Sequence, residues 1–436
     1  MNFRFILNIF GRVLILLGAF MLTSIIWALV YKEEVIGELF LSSLLTLAAG
    51  TAMYFFTLRD LKKELGLKDS YFTVTFTWVI ISIFGTLPYL LTGAIPNGYD
   101  AVFETVSGFT TTGSSILNDI EVLPKSILYW RSLTHWIGGM GIIVLVVAIL
   151  PLLRIGGYNL FKNEASGISY EKLTPKTAST AKRLWGVYVT LTFVLMGLLW
   201  AGDMDFFDAM NHAFSTMATG GFSTRNASMA AYSSYAQYVV LLFMFLAGIN
   251  FYLHYHFVKG RFKRVFSNLE LRTYSGIVLV IALLIASVLY FKEDFGLEQA
   301  LRDSFFQVVS IMTTTGFATT DYLKWPQEAW MLIFLLMFVG ASVGSTGGGI
   351  KVIRHVVSFR NVMLHFRRMV HPNSVSLLKI NGEVIDDEKV GSLVSFLVLY
   401  LLTFTAGSII MVFLGEDVLT SVGAVAANMG GVGPGI

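Results

Sequence analysis

The 436-residue chain has no cysteine and few charged residues. The absence of cysteine excludes disulfides, a thiolate nucleophile and cysteine metal sites, and it leaves the redox compartment undetermined. Charged residues make up 14% of the chain, against about 25% in soluble domains, while hydrophobic residues make up 55%. The apolar residues stand in long blocks with almost no charge on any face, whereas a soluble helical protein needs amphipathic helices. The composition therefore predicts an all-α, polytopic membrane protein.

Nine apolar blocks are candidate membrane-spanning helices, because most of them approach the roughly 20 residues that cross a bilayer. These blocks are residues 14–30, 39–58, 71–91, 127–153, 184–200, 238–257, 277–291, 330–343 and 393–414.

Lysine and arginine are concentrated in alternate connections between these blocks. With a cytoplasmic N-terminus, the inner segments hold 24 of the 31 Lys and Arg residues. The inner segments are then 1–12, 59–69, 152–183, 259–272 and 351–390. This asymmetry is the positive-inside pattern of a multi-pass protein, here expected in the inner (cytoplasmic) membrane. A basic run such as 259–264 also occurs in nucleic-acid patches, but beside an apolar block it indicates topology, so no nucleic-acid partner is expected.

An internal repeat follows four of the apolar blocks. In three copies an aspartate lies thirteen residues before a glycine, and a serine lies six residues before it. These copies are Asp100 to Gly113 with Ser107, Asp208 to Gly221 with Ser215, and Asp303 to Gly316 with Ser310. A fourth copy, Asp417 to Gly431, is degenerate, because its aspartate is fourteen residues back and Val425 replaces the serine.

Each copy is typical of a short helix that enters the membrane and then stops. The aspartate is a favoured N-cap, and the roughly eleven residues after it are too few to span a bilayer. The terminal glycine lets the backbone adopt a positive φ, so that successive carbonyls can point towards one axis. Helix C-termini carry partial negative charge, and rings of backbone carbonyls replace the hydration shell of a cation in potassium filters. The alternative, a tight outer loop at each glycine, explains one copy more easily than four.

The same residues resemble the Trk/Ktr/HKT superfamily of potassium transporters, and most closely the bacterial TrkH-type subunit. The resemblance covers nearly the whole chain, and four segments carry it: 108–114, 218–223, 313–317 and 428–434. It implies four pseudo-symmetric repeats of span, pore helix, filter and span around one central pore, preceded by two extra N-terminal spans. The implied divisions are 1–65 for the extra spans, 66–160, 161–258 and 259–371 for repeats 1 to 3, and 372–436 for repeat 4. In this sequence the fourth repeat is expected to lack its second span.

The resemblance also implies an ion-binding filter. Its members would be Thr111, Thr112, Gly113, Thr219, Gly220, Gly221, Thr314, Thr315, Gly316, Asn428, Met429, Gly430 and Gly431. In plant relatives a serine at the first filter glycine accompanies sodium transport, so Gly113 indicates potassium. Potassium would be the transported ion and the only metal, held at these residues alone. The sequence predicts no organic cofactor and no enzymatic activity, since no spacing suggests a catalytic triad or a carboxylate pair.

A glycine-rich stretch lies within repeat 3, after its Asp303 to Gly316 copy. It comprises Gly344, Ser345, Thr346, Gly347, Gly348, Gly349, Ile350 and Lys351. It is not a nucleotide-binding P-loop, because Ile350 separates the last glycine from the lysine. Each glycine lowers helix stability by about 1 kcal/mol relative to alanine, so the cluster should interrupt the apolar helix expected from about Trp330 to past Val357. The resemblance implies a gating loop here, with a plain cytoplasmic turn as the alternative.

Partners and transport mode follow only from the resemblance. It implies a homodimer in the lipid bilayer and a soluble, TrkA-like ring that binds NAD or ATP nucleotides on the cytoplasmic side. The long basic inner segments would suit such a ring or anionic lipid headgroups. A channel-like potassium permease is the leading interpretation, and a symporter coupled to sodium or protons is the alternative. A structural membrane subunit would not need four filter-like repeats.

Some polar residues of the outer segments allow two interpretations. Glu104, Asp119, Asp203, Asp205 and Asp208 are predicted to form an acidic rim that concentrates cations, although a solvated outer face explains them almost as well. His135 and His212 lie beside pore elements, where a structural hydrogen-bonding role is expected rather than catalysis.

Overall fold

The computed structural model describes residues 3–57, 67–139, 141, 177–293, 295–372 and 377–435. In these described ranges the regular structure is helical apart from one short hairpin, and the chain divides into two compact units, Met1–Tyr232 (unit 1) and Ser233–Ile436 (unit 2).

The described helices of unit 1 are α1 (Phe3–Tyr31), α2 (Ile36–Phe56), α3 (Leu67–Gly85), α4 (Leu87–Leu91), α5 (Gly98–Phe109), α6 (Lys125–Gly139), α7 (Thr177–Trp200) and α8 (Phe206–Ala218). Those of unit 2 are α9 (Ser234–Ala247), α10 (Phe251–Val258), α11 (Phe262–Phe266), α12 (Leu269–Lys292), α13 (Leu297–Met312), α14 (Gln327–Leu336), α15 (Val352–Val370), α16 (Asp387–Phe413) and α17 (Val418–Gly430). Strands β1 (Lys379–Ile380) and β2 (Glu383–Val384) pair antiparallel between α15 and α16.

Within the described part of the chain, six stretches of helix are long and apolar enough to cross a membrane. They are Phe3–Tyr31, Ile36–Phe56, Tyr71–Leu91, Ala181–Trp200, Leu269–Lys292 and Asp387–Phe413. The pair α9 and α10 makes a seventh if it counts as one broken span. The expectation of a multi-pass membrane protein is thus confirmed. The block 127–153 begins in α6 and continues into residues outside the described ones.

Helix α6 is the central element of unit 1, because it contacts α1, α5 and α8. Most of its side chains are buried, and these include polar ones such as Arg131 and His135 as well as apolar ones. Trp130 is fully buried and donates from Nε1 to the Gly85 carbonyl at 3.1 Å, so the polar atom of this large side chain is satisfied. Helix α6 is therefore the buried helix against which the two short helices, α5 and α8, pack.

Two helices of unit 2 are broken. Helices α9 and α10 meet at an angle of 101° across residues 248–250, within a block that the sequence indicated as one continuous span. Helix α14 ends at Leu336, and irregular backbone continues to Lys351 before α15 begins. The predicted interruption of this helix is confirmed, although it starts several residues before the first glycine of the cluster.

Candidate functional site

Four short helices correspond to the repeated sequence pattern: α5, α8, α13 and α17. They contain 12, 13, 16 and 13 residues, which is too short to span a bilayer. Each is followed by non-helical backbone, as the terminal glycines suggested.

The prediction that the repeated aspartate caps each helix is right for one copy and wrong for three. Asp417 caps α17, accepting hydrogen bonds from Leu419 N at 2.9 Å and Thr420 N at 3.1 Å. The bonds from Thr420 hold the pKa of Asp417 below its usual value. Asp100, Asp208 and Asp303 instead lie inside their helices, whose N-caps are Asn97, Asp205 and Gly296.

Two of these internal aspartates hold the chain that leaves the glycine. Asp208 accepts a hydrogen bond from Thr224 Oγ1 at 2.7 Å, and Asp303 accepts one from Thr319 Oγ1 at 3.0 Å. Both threonines lie three residues after the repeat glycine. The fixed Asp–Gly spacing therefore reflects the return of the chain along its helix rather than helix capping.

The first three copies end in the same unusual backbone. Gly113, Gly221 and Gly316 have φ angles of 79°, 81° and 81°. Two residues earlier, Thr111, Thr219 and Thr314 are left-handed, with φ angles of 55°, 56° and 61°. A side chain in this region costs about 1–2 kcal/mol, so three threonines there mark a strongly imposed conformation. No residue pattern predicts this conformation, because threonine rarely adopts a positive φ.

One hydrogen bond ties each of these segments to its helix. The residue before the glycine donates to the carbonyl of the repeated serine. The pairs are Thr112 N to Ser107 O at 3.0 Å, Gly220 N to Ser215 O at 2.9 Å, and Thr315 N to Ser310 O at 2.8 Å. The serine offset thus marks a turn that closes the end of each helix.

The fourth copy has the same backbone two residues later than the sequence indicated. Gly431 is left-handed with φ 72°, Gly433 has φ 90°, and Val432 N donates to Ala427 O at 2.9 Å. Gly431 therefore corresponds to Thr111, and Gly433 corresponds to Gly113. Asn428, Met429 and Gly430 lie in the last turn of α17. The shift arises because α17 continues through Gly430, which no sequence offset could reveal. We call residues 111–113, 219–221, 314–316 and 431–433 filter segments 1 to 4.

The filter segments are adjacent in pairs within each unit. A Cβ placed on Gly113 would collide with the Gly220 carbonyl oxygen, and one on Gly316 would collide with the Val432 carbonyl oxygen. Gly220 and Val432 occupy the same position in their segments, which supports the register of segment 4. Gly113 and Gly316 therefore have to be glycine, because the carbonyl oxygen of the neighbouring segment occupies the place of a Cβ.

The glycine-rich loop lies against filter segment 3. Gly348 N donates to Thr314 Oγ1 at 2.6 Å, and Lys351 Nζ donates to the Gly347 carbonyl. Gly340 N donates to Ile350 O at 2.9 Å, which closes the base of the loop. The loop is therefore a structured element in hydrogen-bond contact with the segment.

The two helix breaks of unit 2 bond to each other. Ser342 N donates to Gly248 O at 3.0 Å, and Phe251 N donates to Gly344 O at 2.9 Å. Backbone groups released where the helices stop must find partners away from water. Each break supplies the partners for the other, so the loop is joined to the bend between α9 and α10.

The predicted acidic rim is only partly exposed. Glu104 and Asp208 have 0% and 2% exposure, and Glu104 forms an ion pair with Arg131 at 2.6 Å. His212 is buried between Asp208 O at 2.8 Å and Ser223 Oγ at 3.0 Å, and His135 lies 3.3 Å from Ser215 Oγ. Both histidines thus have structural contacts next to filter segment 2, as expected.

Comparison with known proteins agrees with this geometry. The family model described as TrkH, cation transport protein, matches residues 37–436. The chain is 37% identical to the Trk system potassium uptake protein TrkH of Halomonas elongata and 35% identical to that of Escherichia coli K12. Each alignment covers 100% of this chain and 91% of the relative. The crystal structure of the potassium transporter TrkH from Vibrio parahaemolyticus matches with a TM-score of 0.89 and 35% identity, covering 100% of this chain and 91% of that one. The chain therefore belongs to the TrkH family of cation transport proteins.

Proposed function

We propose that this protein takes up potassium across the cytoplasmic membrane through a channel-like pore whose filter is made of backbone carbonyls. The observation that carries the proposal is the shared backbone of the four filter segments, each at the C-terminal end of a short helix. Four such ends favour a cation, and a carbonyl ring can replace its hydration shell. The names of the relatives as potassium uptake proteins support potassium as that cation.

The proposed ion ligands are the carbonyls of filter segments 1 to 3, as the sequence suggested. In the fourth repeat we assign Gly431, Val432 and Gly433, in place of the set that began at Asn428, because their backbone matches the other segments. All four segments would then face one central pore.

We assign gating to the loop from Gly344 to Lys351. Its hydrogen bond to Thr314 gives it direct access to filter segment 3. A loop that leaves this position would break that bond as well as those to the bend between α9 and α10. Opening therefore needs a driving force, which a regulatory partner can supply.

A channel-like mechanism is favoured over symport because the filter segments consist only of threonine, glycine and valine. Proton coupling generally uses ionisable residues within the membrane. Purified protein in proteoliposomes should carry potassium down an imposed gradient and reverse at the potassium equilibrium potential. A reversal potential that moves with a sodium or proton gradient would establish symport instead. Absence of potassium flux that depends on the protein would refute both mechanisms.

The proposed biological assembly is a homodimer with a cytoplasmic N-terminus and a soluble, nucleotide-binding, TrkA-like partner on the inner side. The family membership and the basic inner segments support this assembly. Copurification from native membranes, followed by flux assays with and without nucleotide, tests the partner. Full, nucleotide-insensitive regulation of the isolated membrane protein would contradict it.

A further inference from the structure

A buried ion pair lies behind the first two filter segments. Glu104 is on the short helix α5 and Arg131 is on the central helix α6, with side-chain exposures of 0% and 2%. Arg131 Nε donates to Glu104 Oε1 at 2.6 Å. Removing two ions from water costs several kcal/mol per ion, and such a pair is tolerated only with good geometry and further hydrogen bonds. Glu104 and Arg131 each make further hydrogen bonds to the chain that follows a filter segment.

Glu104 binds the chain that leaves filter segment 1. Its Oε1 accepts from Ser115 Oγ at 3.0 Å, and its Oε2 accepts from Ile116 N at 3.1 Å. These residues lie two and three positions after Gly113. The carboxylate therefore fixes the exit of segment 1 to its own short helix.

Arg131 binds the chain that leaves filter segment 2. Its Nη1 donates to the Ser223 carbonyl at 3.1 Å, and its guanidinium carbon lies 3.5 Å from the centre of the Phe222 ring. The Phe222 ring also stacks on His135, with centres 3.9 Å apart and planes 17° from parallel. Ser223 lies two positions after Gly221, as Ser115 does after Gly113. One ion pair thus connects equivalent points of two adjacent segments.

The charge at this position is particular to the first repeat. Glu104 lies four residues after the repeated aspartate, and the corresponding residues are His212 in repeat 2 and Gln307 in repeat 3. His212 contacts Ser223 Oγ, so it makes the neutral counterpart of the Glu104–Ser115 contact. His212 stays within its own repeat, whereas Glu104, through Arg131, links filter segment 1 to filter segment 2.

We propose that Glu104 and Arg131 are positioning residues for ion selectivity, which fix the spacing between filter segments 1 and 2. The proposal rests on the proposed function, since it assumes that these segments select the ion. In this proposal the pair positions the backbone and does not bind the ion. It acts through Ile116 and Ser223, whose positions set how closely the Gly220 carbonyl approaches Gly113.

The test measures two quantities on purified, folded protein. The first is the potassium-to-sodium flux ratio in proteoliposomes. The second is backbone hydrogen exchange in peptides that cover 113–117 and 221–225, which reports on the anchors whether or not potassium is the substrate. The variants are Arg131→Lys, which keeps the charge but loses the planar fork, and Glu104→Gln, which keeps the shape but loses the charge. Ser115→Ala removes one hydroxyl donor at an exposed position.

The control is Tyr129→Phe, which deletes a hydrogen bond to Thr23 elsewhere in unit 1. We expect the flux ratio to fall about tenfold in either ion-pair variant, the effect of losing one hydrogen bond to a charged group. Exchange should become faster in both peptides. Ser115→Ala should lower the ratio about twofold, as for a single weak contact, and Tyr129→Phe should leave it unchanged.

A folded ion-pair variant with the wild-type ratio and wild-type exchange would overturn the proposal. If neither ion-pair variant folds, the test rests on Ser115→Ala. An unchanged potassium-to-sodium flux ratio in that variant overturns the proposal. Wild-type protein that carries no potassium would refute the proposed function separately, while the exchange data would still show whether the pair anchors both segments.

Discussion

Filter segments 1 and 3 have the same backbone, but different parts of their units hold them. In unit 1, Glu104 bonds to the exit of segment 1 and pairs with Arg131. In unit 2, Gln307 takes the place of Glu104 and is buried, and its amide has no hydrogen-bond partner among the described residues. The chain that leaves segment 3 is held by Asp303 through Thr319, and segment 3 also bonds through Thr314 to the glycine-rich loop.

The difference between the two segments is the additional contact of segment 3 to a loop. Hydrogen bonds to charged groups contribute about 1.5–3 kcal/mol, roughly twice the value of neutral ones. The bonds of segment 1 stay within helices α5 and α6, whereas the Thr314 bond depends on the position of a loop. Segment 1 is therefore held within helices α5 and α6, whereas segment 3 also contacts the loop.

The largest effect should come from the feature that both units share. Gly113→Ser and Gly316→Ser each place a side chain at positive φ against a neighbouring carbonyl, and Gly113→Ser can also add a hydroxyl ligand. Left-handed strain alone costs about 1–2 kcal/mol, so discrimination against sodium should fall by tenfold or more. Relative potassium and sodium uptake is the measurement.

Gly93→Ser is the matched control for these variants, because Gly93 also has a positive φ of 71° but no atom within 4 Å of its added Cβ. It should keep wild-type selectivity. Unchanged selectivity in Gly113→Ser would refute the assignment of this segment to the filter.

The next largest effect should come from the loop. Deleting residues 346–348 removes the donor to Thr314 and the carbonyl that accepts from Lys351. We expect raised basal potassium flux or loss of regulation, with selectivity retained because filter segments 1 and 2 are held independently. Proteoliposome flux without any partner measures the first, and the flux ratio measures the second. Lost selectivity with normal gating would place the loop in the filter instead.

A smaller effect should distinguish two equivalent threonines. Thr314→Val leaves Gly348 N without its acceptor, which costs about 1–3 kcal/mol and should shift the loop equilibrium by roughly tenfold. Thr111→Val is the matched control, since within the described part of the chain Thr111 Oγ1 bonds to the preceding carbonyl of Thr110 at 2.7 Å and not to a loop. Basal flux should therefore rise in the first variant alone. Equal basal flux in the two variants would contradict a role for the bond between Thr314 and the glycine-rich loop.

The smallest effect concerns the starts of two short helices. Asp417 caps α17 with a carboxylate whose pKa is lowered by its bonds to Thr420, whereas the cap of α5 is the uncharged Asn97. A lowered pKa gives stability that is present above the unfolded value of about 3.9 and is lost as pH falls through the folded value. The protection of 417–421 against hydrogen exchange, relative to the intrinsic exchange rate at each pH, should therefore fall as pH drops below about 3.9. Protection at 97–101, where the cap is uncharged, should fall less.

Asp417→Asn keeps the cap but removes the titration, so its exchange at 417–421 should lose this pH dependence. A pH dependence that persists in Asp417→Asn would show that another group is responsible.

Much of the fold could be predicted from local patterns. The apolar blocks gave six helices long enough to span a membrane, and the glycine cluster marked the interruption before Lys351. The fixed offsets marked three of the four short helices and the positive-φ glycines that follow them, Gly113, Gly221 and Gly316. These features follow from composition and from interactions between residues close in sequence.

Other features depend on contacts that sequence spacing does not reveal. The bend between α9 and α10 lies in an apolar block, and it is stabilised by a loop about a hundred residues later. The roles of Asp208 and Asp303 depend on where the chain returns along each helix. Helix caps were therefore misassigned, and the register of segment 4 was displaced by two residues.

The sequence by itself determined that this chain crosses a membrane several times and repeats one short helix with a glycine end, because hydropathy and glycine placement act locally. Only the tertiary structure decided how those ends are held. Glu104 and Arg131 are 27 residues apart, and the sequence pattern assigned Glu104 to an outer acidic rim. In the structure both side chains are buried and form an ion pair, since neither charge is stable there alone. Thr111 and Thr314 occupy equivalent positions, and only the loop that packs on one of them makes them different.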